Sequence, residues 1–231
     1  MRIFKTKERN INFNELIVDF VKKVLDFYSQ IDNSLYIEGK RINLRNEEIK
    51  EVSLDYDESF YFNFFNAVSE YRERLKQNLA HSDINSLLQS SGDNFVIESR
   101  IKNINSIFSK IYQYINLKKE KGNVAINKCL NDLFGLRIVL PFAKQSDIKV
   151  HLESFIKDSG YKFKIIDASK LEYKAIHLYI FKDNYSLPWE IQFWLLKNDA
   201  SNRESHAKYK QSYTSWELSY NSKDLYEAHK K

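Results

Sequence analysis

The stretch "PWEIQFWLL", residues 188–196, predicts a strand inside a sheet, because it is a short apolar run that contains two polar residues. Alternation separates its residues into an apolar face and a mixed face: Trp189, Ile191 and Phe193 against Glu190, Gln192 and Trp194. A glutamate and a glutamine inside such a strand are costly unless they have partners. Glu190 is therefore the strongest single candidate for a site residue.

Four other segments predict strands and lie around this one in the C-terminal half: "FVIES", "LFGLRIVLPF", "YKFKIID" and "YKAIHLYIFK". Helical segments alternate with them: "INSIFSKIYQYINLKK", "SDIKVHLESFIKDSG" and "ASNRESHAKYKQSY". Two long amphipathic helices come first, over residues 13–31 and 58–80. The sequence therefore predicts an α+β fold, a mixed sheet of about five strands flanked by helices, with an N-terminal helical extension.

Composition narrows the class of protein. With 43% apolar and 15% aromatic residues, the 231-residue chain can fill a core, which excludes a disordered protein. No stretch approaches the roughly 18 uninterrupted apolar residues of a membrane span. The N-terminus has no apolar segment of a signal peptide, so the expected location is cytoplasmic. The single cysteine, Cys129, excludes an internal disulfide, and the net charge of +5 suits an anionic partner such as a nucleotide or nucleic acid.

A first cluster of polar residues lies in "ESRIKNINSIFSK", residues 98–110. Lys102, Ser106 and Lys110 have helical spacing and would share one stripe of a helix, with Arg100 at its entry. Two ammonium groups, a hydroxyl and a guanidinium suit the binding of a polyphosphate. The alternative is the ordinary solvated face of a basic protein.

A second cluster lies in "NDLFGLRIVL", residues 131–140, where Asp132 immediately precedes a predicted strand. Such a carboxylate is held rigidly and is open to solvent, as a metal ligand requires. Arg137 would point into the same site; alternatively, Asp132 caps a turn and pairs with Arg137. If Asp132 and Glu190 lie on neighbouring strands, they supply the two carboxylates that Mg²⁺-dependent phosphoryl or nucleotidyl transfer uses.

The third cluster is "KLEYKAIHLYI", residues 170–180, in which alternation places Tyr173 and His177 on one face. Tyr173 could offer a stacking surface to a base. A lone histidine in a strand is more often a core residue than a ligand. Strict alternation cannot place Lys174 on the same face as Tyr173, so a bend or the start of the strand is expected there.

In this order, the segments resemble the synthetase domain of the RelA/SpoT family, which makes the alarmone (p)ppGpp. "SRIKNINSIFSK" resembles the family's Arg-x-Lys helix entry, and "NDLFGLRIVL" is similar to its Asp-x-x-Gly-x-Arg-Ile strand. "EYKAIHL" stands where the family has Gly-Tyr-Arg-Ser-Leu-His, and "EIQFW" and "HAKYK" where it has Glu-Ile-Gln and His-x-x-Tyr-Lys. The resemblance implies a nucleotidyltransferase-like fold over 58–213, with an extension over 1–57 and a tail over 214–231.

The resemblance also implies transfer of the β,γ-pyrophosphate of ATP to a ribose 3′-hydroxyl. Asp132 and Glu190 would be catalytic and would bind Mg²⁺, and Glu190 would also serve as the base. Five residues would bind ATP: Arg100, Lys102, Ser106, Lys110 and Arg137. Six would bind the acceptor: Tyr173, Lys174, His177, Gln192, His206 and Lys210.

The chain departs from the family pattern mainly on the acceptor side. Glu172, Lys174 and Ala175 replace the family's glycine, arginine and serine, and Trp194 stands where the family has an arginine. No hydrolase signature is present in the sequence. Toxic small alarmone synthetases resemble this chain, and some of them pyrophosphorylate the 3′-CCA end of tRNA.

Three hypotheses follow from this comparison. The first is a toxin that modifies tRNA and has an antitoxin protein as partner. The second is a (p)ppGpp synthetase that uses GDP or GTP as acceptor. The third is a catalytically inactive binding module.

Overall fold

The computed structural model describes residues 13–82, 95–141, 144–156 and 160–208. The helices are α1 (Phe13–Gln30), α2 (Glu58–Ala80), α3 (Ile104–Tyr112), α4 (Ile126–Cys129), α5 (Gln145–Ile156) and α6 (199–208). The strands are β1 (Tyr36–Ile37), β2 (Lys40–Arg41), β3 (Val96–Ile101), β4 (Phe134–Leu140), β5 (Lys162–Asp167), β6 (Ala175–Phe181) and β7 (Trp189–Leu195). Short 3₁₀ turns cover Ile49–Glu51 and Leu196–Asn198, and a π-helical turn, Gln113–Leu117, extends α3.

The five long strands form one mixed sheet in the order β3-β4-β7-β6-β5. Strand β4 is parallel to the central strand β7, and every other neighbouring pair is antiparallel. This arrangement confirms the predicted α+β class, the five-strand mixed sheet and the N-terminal helix. The two small strands β1 and β2 form a separate hairpin, whose turn has positive φ at Glu38 and Gly39.

Helix α1 packs on the apolar face of the sheet. The rings of Phe27 and Tyr28 have centroids 5.3 and 5.0 Å from that of Trp189, which is fully buried. The Tyr28 hydroxyl also donates a hydrogen bond of 3.2 Å to the carbonyl of Leu187. Because Trp189 and Glu190 point to opposite faces of β7, α1 packs on the face opposite Glu190.

A buried hydrogen-bond network connects α2 and the residues before it to the sheet. The indole of Trp189 donates to the Tyr71 hydroxyl at 2.8 Å, and Tyr71 donates to Asn33 Oδ1 at 2.9 Å. Asn33 in turn donates to the carbonyl of Tyr28 at 2.9 Å. Residues before position 58 thus share the core of the sheet. The division into 1–57, 58–213 and 214–231 remains a prediction, and the last part lies outside the described residues.

The position of Lys102 differs from the sequence prediction. Lys102 and Arg100 do not belong to the helix: Arg100 lies in β3, and Lys102 lies in the connection to α3. The physical reason is Asn103, whose side chain accepts a hydrogen bond from the backbone N–H of Asn105 and caps the helix there. No helix among the described residues has the length and hydropathy needed to cross a membrane.

Candidate active site

Two rows of side chains cross the polar face of the sheet, because residues opposite each other in neighbouring strands point to the same side. One row consists of Glu98, Arg137, Gln192 and His177, and the next of Arg100, Gly135, Glu190 and Tyr179. The sheet therefore brings together five of the predicted site residues: Arg100, Arg137, His177, Glu190 and Gln192. Alternation along β7 predicted the orientation of Glu190 and Gln192 correctly.

Asp132 lies just before β4 and is held by two lysines from different parts of the fold. Lys102 Nζ lies 2.6 Å from Asp132 Oδ2, and Lys110 Nζ lies 2.9 Å from Oδ1. The side chains of Lys102 and Lys110 are only 10% and 14% exposed. Burial raises the pKa of Asp132, but the two ammonium groups outweigh burial and hold the pKa well below its usual range. Asp132 is thus a charged carboxylate between two cations.

Glu190 accepts hydrogen bonds from three neighbours on the same face. His177 Nδ1 and the Tyr179 hydroxyl lie 3.0 and 2.8 Å from Oε1, and Gln192 Nε2 donates to Oε2 at 2.7 Å. Burial raises the pKa of Glu190, but the contact with the His177 imidazole outweighs burial, so the pKa lies below the usual value. These partners supply the hydrogen bonds that offset the cost of burying this glutamate inside a strand, a cost that the sequence already indicated.

Arg137 is paired with Glu98, so the alternative in which Arg137 pairs with Asp132 is wrong. Its Nη1 lies 2.8 Å from Glu98 Oε2, and its guanidinium carbon lies 3.6 Å from the ring centroid of Trp194. Arg203, from α6, lies 2.7 Å from the other oxygen of Glu98. Glu98 therefore joins two guanidinium groups at one margin of the polar face.

Tyr173 and His177 belong to one hydrogen-bonded group. The Tyr173 hydroxyl lies 2.8 Å from His177 Nε2, and the indole of Trp194 donates to the same hydroxyl at 3.2 Å. His206 contacts both aromatic rings, with centroids 6.1 Å from each. The structure thus places His177 beside Glu190 on the polar face, where a core histidine would not lie.

The start of β6 lies where the alternation argument required it. The strand begins at Ala175, so Tyr173 and Lys174 precede it. The buried side chain of Asn202 binds the backbone N–H of Lys174 at 2.7 Å and its carbonyl at 2.9 Å. The Lys174 side chain is exposed.

Two further predicted site residues remain. Ser106 lies on α3 between the positions of Lys102 and Lys110 and does not hydrogen-bond to Asp132. Lys210 lies outside the described residues.

The donor set fits Mg²⁺ bound together with substrate phosphates. Asp132 and Glu190 supply carboxylate oxygens, and a carboxylate keeps lone pairs after accepting one hydrogen bond per oxygen. Among the described residues, no group of three or more His, Cys, Asp or Glu side chains could hold a metal by itself. Mg²⁺ commonly uses one or two carboxylates, water and substrate phosphates, so Asp132 and Glu190 would suffice.

Sequence reasoning missed three residues of this face. Tyr179 has the same parity as His177, so extending the alternation by two residues would have found it. Glu98 lies two residues before Arg100 on β3 and could have been found in the same way. Arg203 reaches Glu98 from a helix 105 residues later, and no local pattern predicts that contact.

Comparisons with known proteins agree with the family resemblance. A family profile described as "Region found in RelA / SpoT proteins" matches residues 99–214, just over half of the chain. No curated protein sequence matches the chain significantly.

Among solved structures, the small alarmone synthetase 1 from Bacillus subtilis is 21% identical, with a TM-score of 0.38 over 69% of this chain and 82% of that one. The same enzyme bound to AMPCPP is 18% identical, with a TM-score of 0.34 over 66% of this chain and 80% of that one. The profile match supports pyrophosphate transfer as the reaction class without distinguishing the acceptor. The chain belongs to the RelA/SpoT family.

Proposed function

We propose that this protein is a Mg²⁺-dependent pyrophosphotransferase that moves the β,γ-pyrophosphate of ATP to a ribose 3′-hydroxyl. The observation that carries the proposal is the convergence of Lys102 and Lys110 on Asp132, at 2.6 and 2.9 Å, next to the sheet face that bears Glu190. Transfer of this kind depends mainly on positioning and on neutralising phosphate charge. Two cations paired with Asp132, and a second carboxylate on the strand next to β4, meet that need.

In the proposed reaction, the acceptor 3′-oxygen attacks the β-phosphorus of ATP, and the bond between that phosphorus and the bridging oxygen to the α-phosphate breaks. AMP leaves, and Glu190 accepts the proton of the 3′-hydroxyl. Mg²⁺ bound with the phosphates would neutralise charge that develops on the oxygens. Lys102 and Lys110 would contact the phosphates together with Arg100 and Arg137, while Asp132 and Glu190 would hold the metal.

For the acceptor, we favour the 3′-CCA end of tRNA, as in the toxic small alarmone synthetases. The net charge of +5 suits a polyanionic acceptor. Lys174, which stands in place of the family's arginine, has an exposed side chain, and its backbone is bound by Asn202. An antitoxin protein would then be the partner.

The second candidate function is (p)ppGpp synthesis from GDP or GTP. The observation that favours it is the presence of Tyr173 and His177 beside Glu190, at the two positions that keep the family residues of the acceptor motif. Substituted residues of the same segment, Glu172, Lys174 and Ala175, favour the tRNA acceptor instead.

A labelling experiment separates the candidates. The protein is incubated with Mg²⁺ and γ-labelled ATP plus GDP, GTP, ATP or deacylated tRNA, and each acceptor is analysed for label. We expect label on the 3′ end of tRNA. Label on guanine nucleotides alone would contradict the tRNA acceptor, and ATP binding with no transfer would support the inactive binding module. In the Glu190→Gln variant, transfer should be abolished while the circular dichroism spectrum is retained.

A further inference from the structure

A directional chain of hydrogen bonds ends at Glu190. The indole N–H of Trp194 has only a hydrogen to give, so it donates to the Tyr173 hydroxyl at 3.2 Å. The Tyr173 hydroxyl then donates its own hydrogen bond to His177 Nε2 at 2.8 Å, since that nitrogen is the only other partner shown for the hydroxyl in the described part of the chain. Nε2 therefore acts as an acceptor.

The contacts of Nδ1, the other ring nitrogen, determine in the same way which nitrogen carries the proton. Nδ1 of His177 lies 3.0 Å from Glu190 Oε1 and 3.3 Å from the Tyr179 hydroxyl. The Tyr179 hydrogen is used in a 2.8 Å bond to Glu190, and an ionised carboxylate only accepts. A neutral imidazole with its proton on Nδ1, on the side of Glu190, satisfies both contacts.

Burial of this chain keeps it in one arrangement. Trp194 is fully buried, and the side chains of His177 and Glu190 are only 13% and 11% exposed. Burial also raises the pKa of Tyr173 to about 12, so its hydroxyl keeps the hydrogen that it donates. The rings of Trp194 and His177 both meet Tyr173 edge to face, at interplanar angles of 86° and 89°. The hydroxyl is thus directed inward, away from a base that would stack on the ring.

We propose that Tyr173 and Trp194 are positioning residues for Glu190, acting through the Nδ1-protonated form of His177. The proposal rests on the proposed role of Glu190 as the base, and it adds a role for the Tyr173 hydroxyl that ring stacking does not supply. A carboxylate that orients an imidazole, which in turn meets a hydroxyl, is a known way to fix a tautomer. Here the hydroxyl fixes the imidazole and the imidazole orients the carboxylate.

This arrangement also gives Trp194 a function. An arginine at position 194, as in the family motif, presents a fork of several donors and a full charge. Tryptophan presents one neutral N–H, which is directed at Tyr173. The guanidinium carbon of Arg137 lies 3.6 Å from the centroid of its ring. Trp194 therefore fixes the Tyr173 hydroxyl on one side and Arg137 on the other.

The test uses Tyr173→Phe, which keeps the ring and removes only the hydroxyl. Exposed Tyr56, which is 64% exposed in the loop before α2, provides the matched control Tyr56→Phe. Long-range ¹H–¹⁵N spectra of the ¹⁵N-histidine-labelled protein report the tautomer of His177, whose signal is assigned with a His177→Gln variant. Steady-state kinetics on the acceptor that carries label report kcat and KM.

We expect the Nδ1–H tautomer in the native protein and in Tyr56→Phe, and a shift towards a mixture of tautomers in Tyr173→Phe. With one hydrogen bond lost, kcat should fall roughly 3- to 10-fold while KM for the acceptor changes less than about 2-fold. Trp194→Phe, which removes the indole donor, should shift the tautomer in the same direction and serves as a second variant if Tyr173→Phe does not fold.

Three outcomes would overturn the positioning role: an Nε2–H tautomer in the native protein, an unchanged tautomer in both variants, or a rise in KM at constant kcat in Tyr173→Phe. The spectra require no turnover. If the native protein transfers no pyrophosphate but the tautomer shifts as expected, the proposed function fails while the hydrogen-bond chain stands.

Discussion

Lys102 Nζ lies 2.6 Å from Asp132 Oδ2, although the two residues are 30 positions apart and belong to different connections of the fold. The backbone of Lys102 is held as well, because its N–H donates to the carbonyl of Leu133 at 2.8 Å. Arg72 from α2 adds a hydrogen bond of 2.9 Å to the carbonyl of Lys102. The lysine is therefore fixed at its backbone and at its ammonium group.

Removing the carboxylate should cost more stability than removing this lysine. Asp132→Asn leaves two almost buried ammonium groups without a counter-charge, which we expect to lower the free energy of unfolding by about 3 kcal/mol. Lys102→Met leaves Asp132 paired with Lys110 and should cost about 1 kcal/mol. Urea unfolding of both variants measures the difference, and equal stability of Asp132→Asn and the native protein would contradict the ion-pair role.

The stability of the fold should depend on pH through His206. Burial, together with the positive charges of Arg137 and Arg100, lowers the pKa of His206 to about 4. The folded state thus resists protonation, while an unfolded histidine takes up a proton at a pH of about 6.5. The free energy of unfolding therefore keeps its full value with respect to His206 above that pH, and it decreases as the pH falls towards 4.

The variant His206→Asn isolates this effect from the carboxylates. Between neutral pH and a pH of about 4.5, it should lose about 2 kcal/mol less unfolding free energy than the native protein. Urea unfolding at the two pH values checks the difference. The same loss in both proteins would show that His206 is protonated without cost in the folded state.

Removing the buried hydrogen bonds of Tyr71 should lower the stability of the fold and leave the candidate active site intact. Tyr71→Phe removes the hydroxyl that accepts from Trp189 and donates to Asn33, so two buried polar groups lose a partner. We expect a loss of about 2 kcal/mol in unfolding free energy. The exposed control Tyr56→Phe should stay within about 0.5 kcal/mol of the native protein. A small effect of Tyr71→Phe would mean that water replaces the hydroxyl.

Gly135 lies opposite Glu190 in the β4–β7 pair. Adding a side chain at Gly135 should therefore reduce activity with little loss of stability. A β-carbon at Gly135 would lie 3.9 Å from the backbone oxygen of Glu190 and 4.0 Å from its Oε2, which is ordinary van der Waals contact. Gly135→Ala should therefore fold, with a midpoint of thermal unfolding close to that of the native protein. The added methyl group occupies space beside the carboxylate, so we expect at least about a tenfold loss of kcat/KM. Full activity would place the acceptor elsewhere.

Local patterns predicted the faces of the strands, and tertiary contacts decided which groups meet. Alternation has a period of two residues, so the orientation of Glu190, Gln192 and His177 followed from sequence alone. Strand register does not follow from sequence, so the pairing of Glu98 with Arg137 could not be predicted. The helical stripe was wrong for Lys102 because Asn103 caps α3, yet the side chain still reaches Asp132 alongside Lys110.

The identity of the released nucleotide shows which group of ATP is transferred. Transfer of a pyrophosphate group from ATP releases AMP, whereas transfer of the γ-phosphate alone releases ADP. In a reaction with Mg²⁺, ATP and the acceptor that becomes labelled, we predict one AMP per modified acceptor, and none in Glu190→Gln. Release of ADP in step with acceptor modification, or AMP formation that persists in Glu190→Gln, would contradict pyrophosphate transfer at this site.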